Sequence, residues 1–146
     1  MEVIYPVIFT DTEDTILIEI PDLKIYTESN GVGEGTTKGT MVDAIRMARD
    51  AISLDCITRE DEGEEVVKPS ALEDIDPTKG EFADAGKSFV SLVDVDLSEY
   101  RRKTDNRSVR RNVTLPSWLN WEANKAQINV SEVLQEALMT KLGASR

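Results

Sequence analysis

Residues 109–146 hold one run of alternating side chains, one proline and two helical periodicities, and too little chain to enclose a core with them. In "VRRNVTL" the odd positions put Val109, Arg111, Val113 and Leu115 on one face, and the even positions put Arg110, Asn112 and Thr114 on the other. Strand side chains alternate in this way. Pro116 ends the strand and can open a helix, where its missing N–H costs nothing. A helix over residues 117–127 carries Trp118, Leu119 and Ala126. A second helix starts at Asn129, a capping residue with Glu132 placed for a box-like pair, and its apolar side runs through Val130, Val133, Leu134, Ala137, Leu138 and Leu142. A strand and two helices of this length cannot bury enough surface alone. The segment therefore calls for a second copy, the two lone strands pairing antiparallel into a ribbon.

A two-stranded ribbon fits the major groove of DNA. Arg110 then suits guanine, Asn112 suits adenine, and Thr114 can bond several base edges or touch a thymine methyl. The start of the second helix, at Asn129, Val130 and Ser131, offers free backbone N–H groups to a phosphate. Arg111 has the parity of the apolar residues and belongs at the ribbon's margin. Arg101, Arg102 and Lys103 are placed for phosphates or an acidic surface and not for bases. An isolated polar strand face is usually just solvated. Here basic residues, alternation, a proline-opened helix and a capped second helix occur together, and that favours nucleic-acid reading.

The charge is divided along the chain. Residues 1–100 carry 24 acidic and 8 basic side chains, a net −16, and residues 101–146 carry 4 and 9, a net +5. An acidic block repels nucleic acid and attracts basic partners, and a basic tail does the reverse. The order along the acidic part is β-β-β-α-β. "VIYPVIF" puts Val3, Tyr5, Val7 and Phe9 on one face, with Pro6 suggesting an edge strand or its irregular start. "TILIEI" aligns Ile16, Ile18 and Ile20, a third short strand lies around "KIYTE", and such closely spaced strands favour an antiparallel meander. Thr40 and Asp43 form a capping-box pattern before a helix striped by Met41, Ile45, Ala48 and Ile52, widened by Ala44 and Ala51 and fading near Asp55. "KSFVSLVDVDL" is a further strand with Phe89, Val93, Val95 and Leu97 alternating, and Asp96 caps a short helix "LSEYRRK". The acidic stretch between these elements is a solvated loop or a docking surface for a basic partner.

Several chemistries are disfavoured. The chain has no histidine, the commonest general base and zinc ligand. The single cysteine, Cys56, has nothing to activate it and reads as a small buried hydrophobe. In "NGVGEGTTKGT", residues 30–40, Lys38 sits between Thr37 and Gly39, so the spacing of a phosphate loop fails and a flexible connector is expected. Asp11, Asp14 and Glu19 could hold Mg²⁺ for phosphodiester cleavage, but no spacing singles out a metal cage and turn acids are usually solvated. No cofactor, metal or catalysis is expected. Nor does any apolar run approach the ~20 residues of a membrane span, so a cytoplasmic protein is the default.

The chain resembles the HicB family of bacterial antitoxins, in the variety ending in a ribbon-helix-helix domain. The resemblance rests on "YPVIFTDTEDTILIEIPDL", "GTMVDAIRMARDAI", "KPSALEDI", "LVDVDLSEYRRK" and "RRNVTLPSWL…INVSEVLQEAL", in that order. It departs from the family in continuing "KIYTESNGVGEG" after "PDL" and in carrying Val67 where a proline is usual. The resemblance implies an α+β fold, with a partial RNase H-like domain without catalysis over residues 1–103, a linker over 104–108 and a ribbon-helix-helix domain over 109–146. It implies as partners a HicA-type toxin, a small basic ribonuclease that cleaves messenger RNA, together with operator DNA and a second copy of the chain. The alternative is a stand-alone repressor whose first domain senses a small ligand.

Overall fold

The computed structural model describes residues 1–29, 38–105 and 107–144. They form two compact units, Met1–Asn106 and Arg107–Arg146. In the first, β1 (Glu2–Asp11), β2 (Ile16–Ile20), β3 (Ile25–Ser29) and β4 (Lys87–Asp96) make an antiparallel sheet in the order β3-β2-β1-β4. The helix α1 (Met41–Asp61) lies between β3 and β4 in sequence, and α2 (Leu97–Thr104) follows β4 directly. The β-β-β-α-β order read from the sequence is therefore present, as a mixed α+β unit.

Alternation decides which sheet face meets α1. Tyr5, Val7 and Phe9 of β1, Ile16, Ile18 and Ile20 of β2, and Val93 and Val95 of β4 are buried with α1's Ala44, Ala48, Ile52 and Cys56 in one cluster. Those four helical residues recur every fourth position and form a line along one face. The line is rotated from the expected stripe: Met41, Ile45 and Ala51 flank it and are only partly buried. Small side chains at Ala44 and Ala48 let the helix backbone come close to the sheet, which leaves the bulkier residues at the sides. Phe89 shares the inner face but stays half exposed, stacked on Phe9 at 5.7 Å between ring centroids.

Two boundaries differ from the sequence reading. Pro6 lies within β1, a central strand; β2 pairs with β1 only from Ile8 onward, so the half of β1 holding Pro6 has β4 on one side and no strand on the other. A proline in that half removes nothing from the β1–β2 ladder. The helix α1 does not fade at Asp55 but runs to Asp61. Cys56 continues the buried line and Arg59 pairs with Asp55 one turn back at 2.9 Å. Gly63, at φ +77°, closes the helix with Gly63 N donating to Glu60 O and Glu64 N to Arg59 O, the paired bonds of a Schellman end.

The start of α1 has both halves of its capping box. Thr40 Oγ1 accepts from Asp43 N at 3.3 Å, and Asp43 Oδ2 accepts from Thr40 N at 2.8 Å. Donation to the carboxylate from Thr40 N, and also from Thr40 Oγ1 at 3.0 Å, holds the Asp43 carboxyl below its ordinary range. The acidic stretch after α1 is less free than a solvated loop. Val66 and Val67 pack on the core, Tyr5 OH donates to Val67 O, and Ser70 donates from its N and Oγ to the Asp22 carboxylate at 2.9 and 2.6 Å. Beyond it, Glu81 N donates to the buried Glu19 carboxylate at 2.7 Å. Asp96 caps α2 by accepting from Glu99 N, and Arg101 bonds Asp61 at 2.8 Å, tying α2 to the end of α1.

In the second unit, α3 (Ser117–Lys125) and α4 (Val130–Leu142) follow Pro116, and residues 107–115 form neither strand nor helix. A lone strand has no ladder without a second strand, so the expected ribbon strand is not formed within one chain.

Gly86 has no room for a side chain, because a Cβ there would meet Asp11 O at 2.1 Å. Gly86→Ala is expected to destabilise the protein by about 1–3 kcal/mol, the scale of a forced overpacking, read from urea denaturation. The Tyr5–Cys56 pair gives a pH dependence. The Cys56 Sγ lies 3.9 Å from Tyr5 OH, and burial pushes the thiol above its ordinary 9.0 and the phenol above its ordinary 10.0. Both groups are neutral when folded and ionise more readily unfolded, so their contribution is whole below pH 9.0 and is lost as pH climbs through and beyond that value. The urea midpoint is expected to be flat up to that point and to fall above it, with a shallower fall in Cys56→Ala.

Candidate functional site

The tail concentrates the residues singled out by alternation. Arg110, Asn112 and Thr114 lie on the exposed stretch 107–115, alongside Val109, Val113 and Leu115, which are exposed too. Val109 is 87% exposed. Pro116 stands at the N-cap of α3 and has no side-chain acceptor to make a cap bond. Trp118 and Trp121 project from α3, and Lys125 lies over the Trp121 ring at 4.9 Å from its centroid. No residue of α3 or α4 is buried. Val133, Leu138 and Leu142, expected on the covered side of the second helix, are all exposed in the single chain.

The turn between α3 and α4 is tightly specified. Gln127 adopts φ 56°, with its N donating to Asn124 O and Ile128 N donating to Ala123 O. This is the same pair of bonds that closes α1, made here around glutamine in place of glycine. An L side chain in that region costs about 1–2 kcal/mol, so the turn is held by what surrounds it. Two residues later Asn129 caps α4, its Oδ1 accepting from Glu132 N at 3.1 Å. Of the expected box, this half is present. Asn129, Val130 and Ser131 thus sit at the opening of a 13-residue helix, where first-turn N–H groups point away from the chain. Gly143, at φ 67°, closes the other end with Ala144 N on Met139 O at 2.8 Å.

Asp11 pairs with Lys38 and Glu19 accepts from Glu81 N, and among the described residues no three acidic or cysteine side chains gather as metal ligands. Of the basic run 101–103, Arg101 meets Asp61 and Lys103 meets Glu99 at 3.0 Å, so their acidic surface is this domain's own. The neighbouring carboxylate holds the Arg101 guanidinium above its ordinary range. The glycine-rich connector lies outside the described residues over 30–37; from Thr40 the chain is already capping α1. No helix among the described residues is long and apolar enough to cross a membrane.

A cleft of about 560 Å³ opens where the start of β1, the middle of α1, the end of β4 and α2 converge. It went unseen in the sequence because its walls come from four separate elements. Glu2, Asp50 and Ser53 are among its residues.

The model of the HicB-like antitoxin family of bacterial toxin–antitoxin systems matches residues 5–138. A chain in the solved structure of a toxin–antitoxin complex from Streptococcus pneumoniae is 26% identical, with a TM-score of 0.54, over 97% of this chain and 99% of that one. No curated protein matches the chain. The family match begins at Tyr5, in the first strand, and ends at Leu138, inside the last helix; the chain belongs to the HicB-like antitoxin family.

Proposed function

We propose that this antitoxin has two clients, held by its two units: a HicA-type toxin on residues 1–103, and the operator of its own operon on residues 109–146. The observation that carries the DNA reading is the bare tail. Two helices bury no residue in the single chain, and a strand-patterned segment beside them has no strand to pair with. A second copy supplies what is missing. Two 109–115 segments pair antiparallel, Val113 and Leu115 turn into the shared core, and the four helices cover them. Arg110, Asn112 and Thr114 then face outward together from both strands, aimed at base edges in the major groove. Asn129, Val130 and Ser131 bring the opening of α4 to a backbone phosphate. The net +5 of residues 101–146 adds the sequence-independent attraction that such binding uses.

The toxin reading draws on the family, on the toxin–antitoxin complex to which the chain is similar, and on the charge of the first unit. A small ribonuclease that grips RNA carries basic surface, and a domain of net −16 over residues 1–100 complements it. The antitoxin blocks by binding, with no cofactor and no chemistry of its own, and works in the cytoplasm where both clients are found.

Arg110→Ala and Asn112→Ala are each expected to weaken operator binding by ~1–3 kcal/mol, the scale of one specific base contact. Gel-shift titration against the operator reads this, and unchanged affinity removes the substituted residue from the reading face. The unit Met1–Asn106, expressed alone, is expected to stop RNA cleavage by the toxin without binding operator DNA. A fragment that folds by circular dichroism and leaves cleavage untouched, while the full chain stops it, contradicts the division of labour.

A further inference from the structure

The cleft beside α1 holds an unusual combination of groups. Ser53 is wholly buried in α1, and its hydroxyl has no hydrogen-bond partner among the described residues. A serine inside a helix ordinarily bonds back to the carbonyl one turn earlier, and a buried hydroxyl left unpaired is destabilising. Asp50 stands one turn before Ser53 on the same helix, and Glu2 reaches the same cleft from the start of β1. Neither carboxylate has an ion-pair or hydrogen-bond partner among the described residues, whereas the cations of the cleft are all engaged. Arg49 binds Asp94 through its carbonyl and its carboxylate, both at 3.1 Å. Lys103 pairs with Glu99 at 3.0 Å, and Arg46 lies 4.0 Å from Asp43.

The unmet demand in the cleft is therefore for hydrogen-bond donors and positive charge. An anion would find every cation already paired. A lysine ammonium is a compact point charge, but an arginine guanidinium spreads five donors in a planar fork and can serve two carboxylates and a hydroxyl at once. A cavity of about 560 Å³ is ample for such a side chain. We propose that this cleft seats an arginine side chain of the toxin, with Glu2 and Asp50 taking its charge and Ser53 accepting one of its N–H groups. The proposal rests on the reading of the chain as an antitoxin that binds its toxin, and it names the place of contact. The buried hydroxyl is then a cost carried by the free protein and relieved in the complex.

The test titrates the full-length chain with the HicA-type toxin proposed as its partner, by calorimetry. The double variant Glu2→Gln, Asp50→Asn is expected to bind on the order of tenfold to a hundredfold more weakly, as for the loss of a desolvated charge contact. Glu13→Gln, Asp14→Asn, an equal change of charge beyond the far end of β1, is expected to bind as the unaltered chain does. Ser53→Ala is expected to raise the melting temperature and yet weaken binding several-fold, a split that a purely structural hydroxyl would not produce. Thermal melts confirm that each variant is folded. Equal binding by the cleft variant and the unaltered chain overturns the cleft proposal and leaves the antitoxin reading standing. Equal losses in the cleft and far-end variants overturn it too, since net charge alone would then explain the effect. No binding by the unaltered chain overturns the antitoxin reading itself.

Discussion

The close approach of α1 to the sheet is the contact on which the first unit depends. Ala44 and Ala48 are small and lie wholly buried on the helix line that faces the sheet, and Ile52 and Cys56 continue that line. Burying a fully covered isoleucine of this kind contributes about 1.5–3 kcal/mol. The polar ties then follow from the position of the helix. Its capping box fixes where it starts, Gly63 fixes where it stops, and Tyr5 reaches past Cys56 to hold Val67 and the acidic segment beyond. The four-stranded sheet would have a naked apolar face without this helix.

The two units solve opposite problems with the same chain. The first buries a continuous cluster and leaves most of its carboxylates outside, where their mutual repulsion is tolerable in water and would be useful toward the proposed basic partner. The second has well-specified ends for both of its helices and no interior. Three helices in the chain finish with the same pair of backbone bonds, at Gly63, Gln127 and Gly143. Both helices of the tail thus close with the same backbone bonds as α1, and what differs is burial.

Legibility in the sequence followed the range of the interaction. The alternation of Tyr5, Val7 and Phe9 with their neighbours, and of Ile16, Ile18 and Ile20, announced the strands and their inner face because the period of two is local. Thr40 with Asp43, Asp96 with Glu99, and Asn129 with Glu132 announced helix starts for the same reason. The end of α1 was harder. "LDCITRED" looks polar enough to stop a helix, and only the sheet beneath Cys56 makes it continue. Pro6 pointed to an edge, and the stagger that leaves half of β1 without β2 is a property of the pairing register, which no short window contains. Gln127 gave no sign at all, since glycine is the residue that marks such a turn. Glu19 and the cleft at Ser53 depend on elements far apart in sequence, and no spacing rule reaches them. The base-reading candidates Arg110, Asn112 and Thr114 were legible as a face, but a face acquires a direction only when its other side is covered.

The uncovered apolar side of α3 and α4 has a consequence for how such a protein is counted in the cell. Where a second copy covers that surface, as proposed, the finished tail is a second-order quantity: halving the number of chains more than halves the number of paired tails once concentration nears the pairing constant. A newly made chain, alone, carries its tail open to any protease that cuts exposed segments. The proposed pairing would close that opening. Lifetime and operator occupancy would then rise and fall together, set by one measure of how crowded the chain is with its own kind.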